Sequence, residues 1–166
     1  MADCIATLKA CQGSSERYPY AINLTDAFSR LWDAEFPYGT GAVVRADGNP
    51  SYGREVIASV AGVSGEQEPE WPIGNAETVD DGSVEWTTQP MSNDGLAYRI
   101  TDCVWAVPTG LTGDSASFTD LPALQEVRIW LTGGTVGRTY VIVGLVSATD
   151  GTETATFEVR IQLKIV

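Results

Sequence analysis

Residues 157–165 read Phe-Glu-Val-Arg-Ile-Gln-Leu-Lys-Ile. Apolar Phe157, Val159, Ile161, Leu163 and Ile165 alternate with Glu158, Arg160, Gln162 and Lys164, the period of a strand with one face in a core and one in water. Charges on the open face also discourage pairing with foreign strands. Working upstream, Asp150-Gly151 is a two-residue hairpin signal, and RTYVIVGLVSA (138–148) is apolar on both faces, as a central buried strand would be. GGTVG (133–137) is a turn whose glycines permit backbone angles that a side chain disfavours. LQEVRIWLT (124–132) places Val127, Ile129 and Leu131 on one face. YRITDCVWAVP (98–108) is a strand ended by Pro108, and 110–123 reads as a loop. Several antiparallel strands joined by short turns describe a small β-sandwich over 93–166, with Trp105 and Trp130 available to its core. The visible strands fall short of seven.

The first half is less regular. Residues 1–18 lack a clear period and read as an arm, in which Ile5, Leu8 and Cys11 offer a docking stripe. Leu24, Ala27, Phe28, Leu31 and Trp32 recur at the spacing of one face of a short helix, with Asn23 as its N-cap. GAVVRA (41–46) and SYGREVIASV (51–60) flank DGNP (47–50), a hairpin pattern. A long irregular stretch then ends at the Asp81-Gly82 turn, before the strand SVEWTTQ (83–89). MSNDG (91–95) reads as a linker. The expected organisation is an arm (1–18), a small β-rich module with one short helix (19–92) and an antiparallel sandwich (93–166), all-β in class.

Composition excludes several functions. The chain has 166 residues and a formal charge of −12, which argues against a phosphate-backbone partner. Residues 1–92 hold 14 acidic and 5 basic side chains, and 55–98 hold no Lys or Arg. A solvated acidic face is the simplest reading, with a docking patch for a basic partner or a loose divalent-cation site as the sharper ones. There is no histidine, hence no His general base, ligand or triad. Cys4, Cys11 and Cys103 form no CxxC, so a zinc site is not expected. Cys103 reads as a core residue; a Cys4–Cys11 bond is conceivable, but free thiols suit a protein assembled in a cytoplasm. No apolar run is long enough to span a membrane, and residues 1–13 lack the organisation of a signal peptide.

Sharper chemistry competes with plain structure at several residues. Trp71, Trp86, Tyr52 and Tyr38 offer rings for sugar stacking, but Trp71 in Glu-Pro-Glu-Trp-Pro reads first as a loop pin. Glu68, Glu70 and Asp80 offer carboxylate pairs for glycoside hydrolysis, which needs a fixed separation in a cleft. Thr78 to Gly82 and Asp47 to Asn49 are oxygen-rich, yet neither carries a spaced calcium-ligand series. No catalytic, cofactor or metal residue is assigned.

Two stretches carry a resemblance. Trp32, Tyr38 to Gly41, Val43-Val44, Tyr52, Ala61 to Gly65, Glu68 to Pro72 and Val79 to Trp86 resemble, in that order, a module of tailed-phage tail and fibre-associated proteins. Ile100 to Val107, Gly133-Gly134 to Gly137 to Tyr140, and Ser147 to Gly151 resemble the immunoglobulin-like domain of phage fibre–tail adaptors. The resemblance implies a non-enzymatic virion protein without cofactors, joining a tail tip, baseplate or collar to fibres or to a neighbouring ring. It implies other phage structural proteins as partners, a homo-oligomeric ring or trimer, and no nucleic acid or membrane. A capsid decoration protein and a glycan-binding receptor module are the alternatives.

Overall fold

A computed structural model describes residues 4–45 and 54–166. The chain divides into two compact units: residues 1–28 with 98–166, and residues 29–97. The second is therefore an insertion into the first. The chain begins with β1 (Cys4–Gln12) and β2 (Arg17–Asn23) of the first unit. The insertion holds β3 (Pro37–Tyr38), β4 (Val43–Val44), β5 (Arg54–Val60), β6 (Gly62–Val63), β7 (Thr78–Asp81) and β8 (Val84–Pro90), then a single 3-10 turn at Asn93–Gly95. The first unit resumes with β9 (Arg99–Ala106), β10 (Leu111–Leu121), β11 (Leu124–Gly133), β12 (Thr139–Thr149) and β13 (Thr154–Ile165).

The first unit is a seven-stranded sandwich with sheets β1-β13-β12-β9 and β10-β11-β2. Numbered within the sandwich, strands three, six and seven share one sheet and strands two, four and five the other, which is the immunoglobulin-like arrangement. The first strand lies on the seventh in parallel, from Cys4↔Glu158 to Gln12↔Ile165. Two further features of that fold class are present. Trp105 on the third strand packs over Gly144, where a Cβ would sit 3.0 Å from its ring and 2.7 Å from Val159. Tyr140, at the start of the sixth strand, accepts a hydrogen bond at its hydroxyl from the Thr135 backbone N–H at 3.0 Å, the tyrosine corner.

The alternating readings hold. Val127, Ile129 and Leu131 are buried together, as are Val159, Ile161, Leu163 and Ile165. Gly133, Gly134 and Gly137 all take positive φ. Other expectations are corrected. The segment 1–18 is no arm, because most of it is β1 and the start of β2. The missing strands of the sandwich thus lie in the first 23 residues, remote in sequence because the insertion intervenes. The stretch 110–123 is no loop: β10 pairs with β11 along its length. Its polar, exposed side chains leave no period to read, since an edge strand is held by backbone pairing. Trp130 lies opposite Pro19 on β2, beneath the Arg17 guanidinium at 4.3 Å, on the outer face rather than in the core. The hairpin at Asp150 has four loop residues, because the Asp150 carboxylate accepts from the N–H groups of Thr152 and Glu153 at 2.7 and 2.8 Å.

The short helix is also absent. One helical turn closes from the Phe28 N–H to the Leu24 carbonyl at 2.9 Å, with Asn23 accepting from the Thr25 N–H at 2.8 Å. The apolar series then splits between units. Leu24 and Phe28 enter the sandwich core, while Leu31 bridges to Arg45 in the insertion. Within the sandwich the two crossing points are tied: the Tyr98 N–H donates to the Phe28 carbonyl at 3.3 Å. Phe28, Tyr98 and Phe157 form a ring cluster with centroids 5.1 to 6.0 Å apart. Within the insertion the Arg30 N–H donates to the Gly95 carbonyl at 2.9 Å, and Ser29 bridges Leu96. The turns after β2 and β10 are locked by Gln125, which is fully buried. Its carbonyl oxygens accept from Leu24 and Ile100 N–H, and its side-chain amide donates to Asp120 and the Leu121 carbonyl. Its own N–H donates to Thr25 Oγ1 at 2.9 Å. The turn 47–50 and Tyr52 lie outside the described residues.

Two predictions follow from this architecture. Because the crossing points are bonded to each other, replacing residues 29–97 by a short Gly/Ser linker leaves a sandwich that unfolds cooperatively; closing a loop of a few residues there costs about 2 kcal/mol less than closing the present one. Circular dichroism and thermal unfolding check this, and a molten product contradicts it. The second concerns acid. Burial alone raises the Asp120 pKa, but hydrogen bonds from Arg99 and Gln125 outweigh it and hold the carboxyl below the usual aspartate value. That contribution is fully present above the unfolded-state pKa and is lost as pH falls through the lower folded value. Asp120→Asn therefore flattens the acid side of the melting-temperature profile below the ordinary aspartate pKa of about 4, a change that thermal melts read directly.

Candidate functional site

The insertion is a small β unit with sheets β4-β5-β8-β7 and β3-β6. Its core joins Tyr38, Val44, Val56, Ala58, Trp71, Val84 and Trp86. The Asp81-Gly82 signal is a tight hairpin, with Asp81 opposite Val84. Gly82 takes φ +61 and lies against the Val63 carbonyl, where no side chain fits.

Asp81 organises the aromatic residues. It is 4% exposed. Oδ2 accepts from Trp32 Nε1 at 2.7 Å and from Trp86 Nε1 at 3.0 Å, and Oδ1 accepts from the Gly65 N–H at 2.7 Å. Gly65 in turn accepts at its carbonyl from the Glu35 N–H at 3.0 Å. The neighbouring Ser64 hydroxyl donates to the Asp33 carbonyl at 2.6 Å and accepts from the Phe36 N–H at 2.9 Å. Tyr38 accepts at its hydroxyl from the Asp33 N–H at 2.7 Å and stacks edgewise on Trp86 at 4.8 Å. Burial raises the Tyr38 pKa, so the phenol stays neutral. Trp71 meets Trp86 at 5.9 Å and donates from Nε1 to Glu68 at 2.5 Å. Both carboxylate oxygens of Asp81 are thus occupied by donors, which fixes three chain segments at one point.

The residues singled out in the sequence fall as follows. Trp71, Trp86 and Tyr38 are buried and present no stacking face; Trp71 pins its loop to the core. Glu68 is engaged with Trp71, and Asp80 lies on β7 opposite Glu85. Among the described residues no three Asp, Glu or Cys side chains gather in a metal-binding cluster. Asp47 to Asn49 lie outside the described residues. Burial and the neighbouring Asp102 push the Cys103 thiol up to about 12, so it stays protonated. Cys4 and Cys11 stand at opposite ends of β1. Seven residues of extended chain separate them by about 23 Å, beyond the roughly 7 Å limit of a disulfide, so the conceived bond is excluded within one chain. No helix among the described residues is long and apolar enough to cross a membrane.

The insertion also has an open groove of about 350 Å³ lined by Arg30, Leu31, Asp33, Phe36, Tyr38 and Ala42 to Val44. Phe36 is 47% exposed at its rim and Leu31 41%. Residues 29–97 carry 12 acidic and 3 basic side chains, a net of −9 of the chain's −12. Each of the three arginines serves an internal contact: Arg30 bonds the Leu96 carbonyl, Arg45 bonds Ser29 and the Ser92 carbonyl, and Arg54 bonds Asn75. Nothing in the spacing marks Asp81 as a hub; Asp-Asp-Gly reads as a turn, and only the fold brings Trp32 and Gly65 to it.

An immunoglobulin-like sandwich interrupted after its second strand by an acidic β unit is the class of protein that this geometry defines. No family model, curated protein or solved structure matches the chain.

Removing the hub gives a sharp test. Asp81→Ala leaves two indole N–H groups and the Gly65 N–H without an acceptor, at about 1–3 kcal/mol for each buried donor. The insertion then unfolds first and the sandwich later, so urea unfolding followed by tryptophan fluorescence and by circular dichroism no longer coincides. Coincident transitions contradict the assignment.

Proposed function

We propose that the chain is a structural component of a tailed-phage virion, joining the tail at its tip, baseplate or collar to fibres or to a neighbouring ring. One observation carries this reading. Of the described residues of the phage-module resemblance, Trp32, Tyr38, Val44, Trp71, Val79, Val84 and Trp86 pack in one core, and Gly65 and Asp81 bond to each other beside it. A resemblance made of core-building residues speaks for a shared module, because such residues specify a fold rather than one reaction. The proposed role is non-enzymatic: Tyr38, Trp71 and Trp86 are buried and Glu68 is bonded to Trp71, so these four candidates for a sugar site are engaged within the unit. Compact β units with short turns suit a mechanical joint, and the largely apolar open groove of the acidic insertion suits contact with a neighbouring protein.

Gold-labelled antibody against the chain, applied to purified particles and viewed by electron microscopy, tests the reading. Label at the tail or its collar is the expected outcome. Label over the shell would instead favour a capsid decoration protein, and particles free of both label and chain would end the virion reading.

A further inference from the structure

The outward face of the β1-β13-β12-β9 sheet is divided. Register puts Val104, Leu145 and Glu158 in one row, then Ala106, Val143 and Arg160, then Val141, Gln162 and Lys9. The half on β9 and β12 is apolar and open: Val104 is 62% exposed, Val141 46% and Leu145 43%. The sequence pattern, apolar on both faces of β12, led to the expectation of a strand covered on both sides. β12 is indeed central in its sheet, yet only its inner face is covered. The half on β13 and β1 is basic. Lys9 and Lys164, the two lysines of the sequence, stand here on adjacent strands, opposite Gln162 and Cys11. Both are exposed, and neither has a carboxylate partner among the described residues, in contrast to Arg17, Arg99, Arg128 and Arg160.

The geometry points to a self-association surface: this apolar and basic sheet face takes the acidic inserted unit of a second copy of the chain, head to tail. Charge decides the occupant. Three cations against two anions (Lys9, Arg160 and Lys164 against Asp102 and Glu158) make this face net positive on a strongly acidic chain. The insertion carries −9 and exposes Phe36 and Leu31 at its groove. Pairing two such sheet faces with each other would set lysines against lysines or against the apolar half, whereas pairing face with insertion sets lysines against carboxylates and apolar surface against apolar surface. Apolar burial supplies the affinity and the charges set orientation and encounter. The two surfaces differ, so the contact is heterologous and propagates to a closed ring or an open filament. This holds for the chain itself and does not rest on the virion reading.

The test uses the full chain alone. Light scattering across a concentration series is expected to show a multimer that weakens as salt is raised. Mixed heavy-isotope and unlabelled copies are then treated with carbodiimide, which joins lysine amines to carboxylates. Light–heavy links from Lys9 or Lys164 to carboxylates within residues 29–97 are expected. Leu145→Glu lowers the association constant on the order of tenfold or more, while Val136→Glu, in the exposed turn before β12, leaves it unchanged; thermal melts confirm that both fold. A single-copy mass at every concentration overturns the proposal. So does a multimer whose light–heavy links join sandwich to sandwich, or one that ignores Leu145→Glu.

Discussion

The parallel ladder between β1 and β13 is the constraint on which the sandwich depends. It lays the first strand along the last over the whole span from Cys4 to Gln12. β2 then crosses to the opposite sheet and pairs with β11. Without these two strands, residues 98–166 would leave one flank of the core, Ile129, Leu131, Ile161 and Leu163 among it, without its covering strands. The contacts are of high sequence separation, so loop-closure entropy must be overcome before they contribute. The insertion lengthens that loop, and the bonded crossing points at Phe28 and Tyr98 shorten it again once residues 29–97 have folded.

The insertion solves a different problem. It is small, its strands are short, and β3, β4 and β6 have two residues each. A unit of that size has little apolar surface to bury. Large rings and one shared acceptor make up the deficit: Trp32, Trp86 and the Gly65 backbone meet at Asp81, with Trp71 and Tyr38 packed around Trp86. The same residues that catch the eye as binding chemistry are therefore the ones least available for it. Among the described residues, the surfaces left open include the groove beside Phe36, the acidic exterior and the half-apolar sheet face.

Much of the all-β architecture was legible. Where one strand face is buried and the other is wet, as in β11 and β13, side-chain alternation records the environment directly. The glycines at 133, 134 and 137 marked a turn because their backbone angles demand them. β10 was illegible because its side chains are almost all exposed while its backbone is paired. The series from Leu24 to Trp32 misled because two units share it, each burying part. The candidate surfaces were less legible still. Trp71 was readable as a loop pin from its prolines and glutamates, but Asp81 looked like any turn aspartate.

By itself the sequence determined what is local: strand periods, turn positions, the acidic balance, the lack of histidine chemistry and the all-β class. Each of these follows from neighbouring residues or from composition. Only the tertiary structure decided that residues 4–23 complete the sandwich, that 29–97 is an insertion, and that Cys4 and Cys11 are held apart. It also decided that Lys9 and Lys164, far apart in the chain, share one face. The physical reason is the same throughout. Side-chain period reports whether a residue is buried, whereas which strand lies beside which is set by backbone pairing, and the backbone is nearly the same at every position.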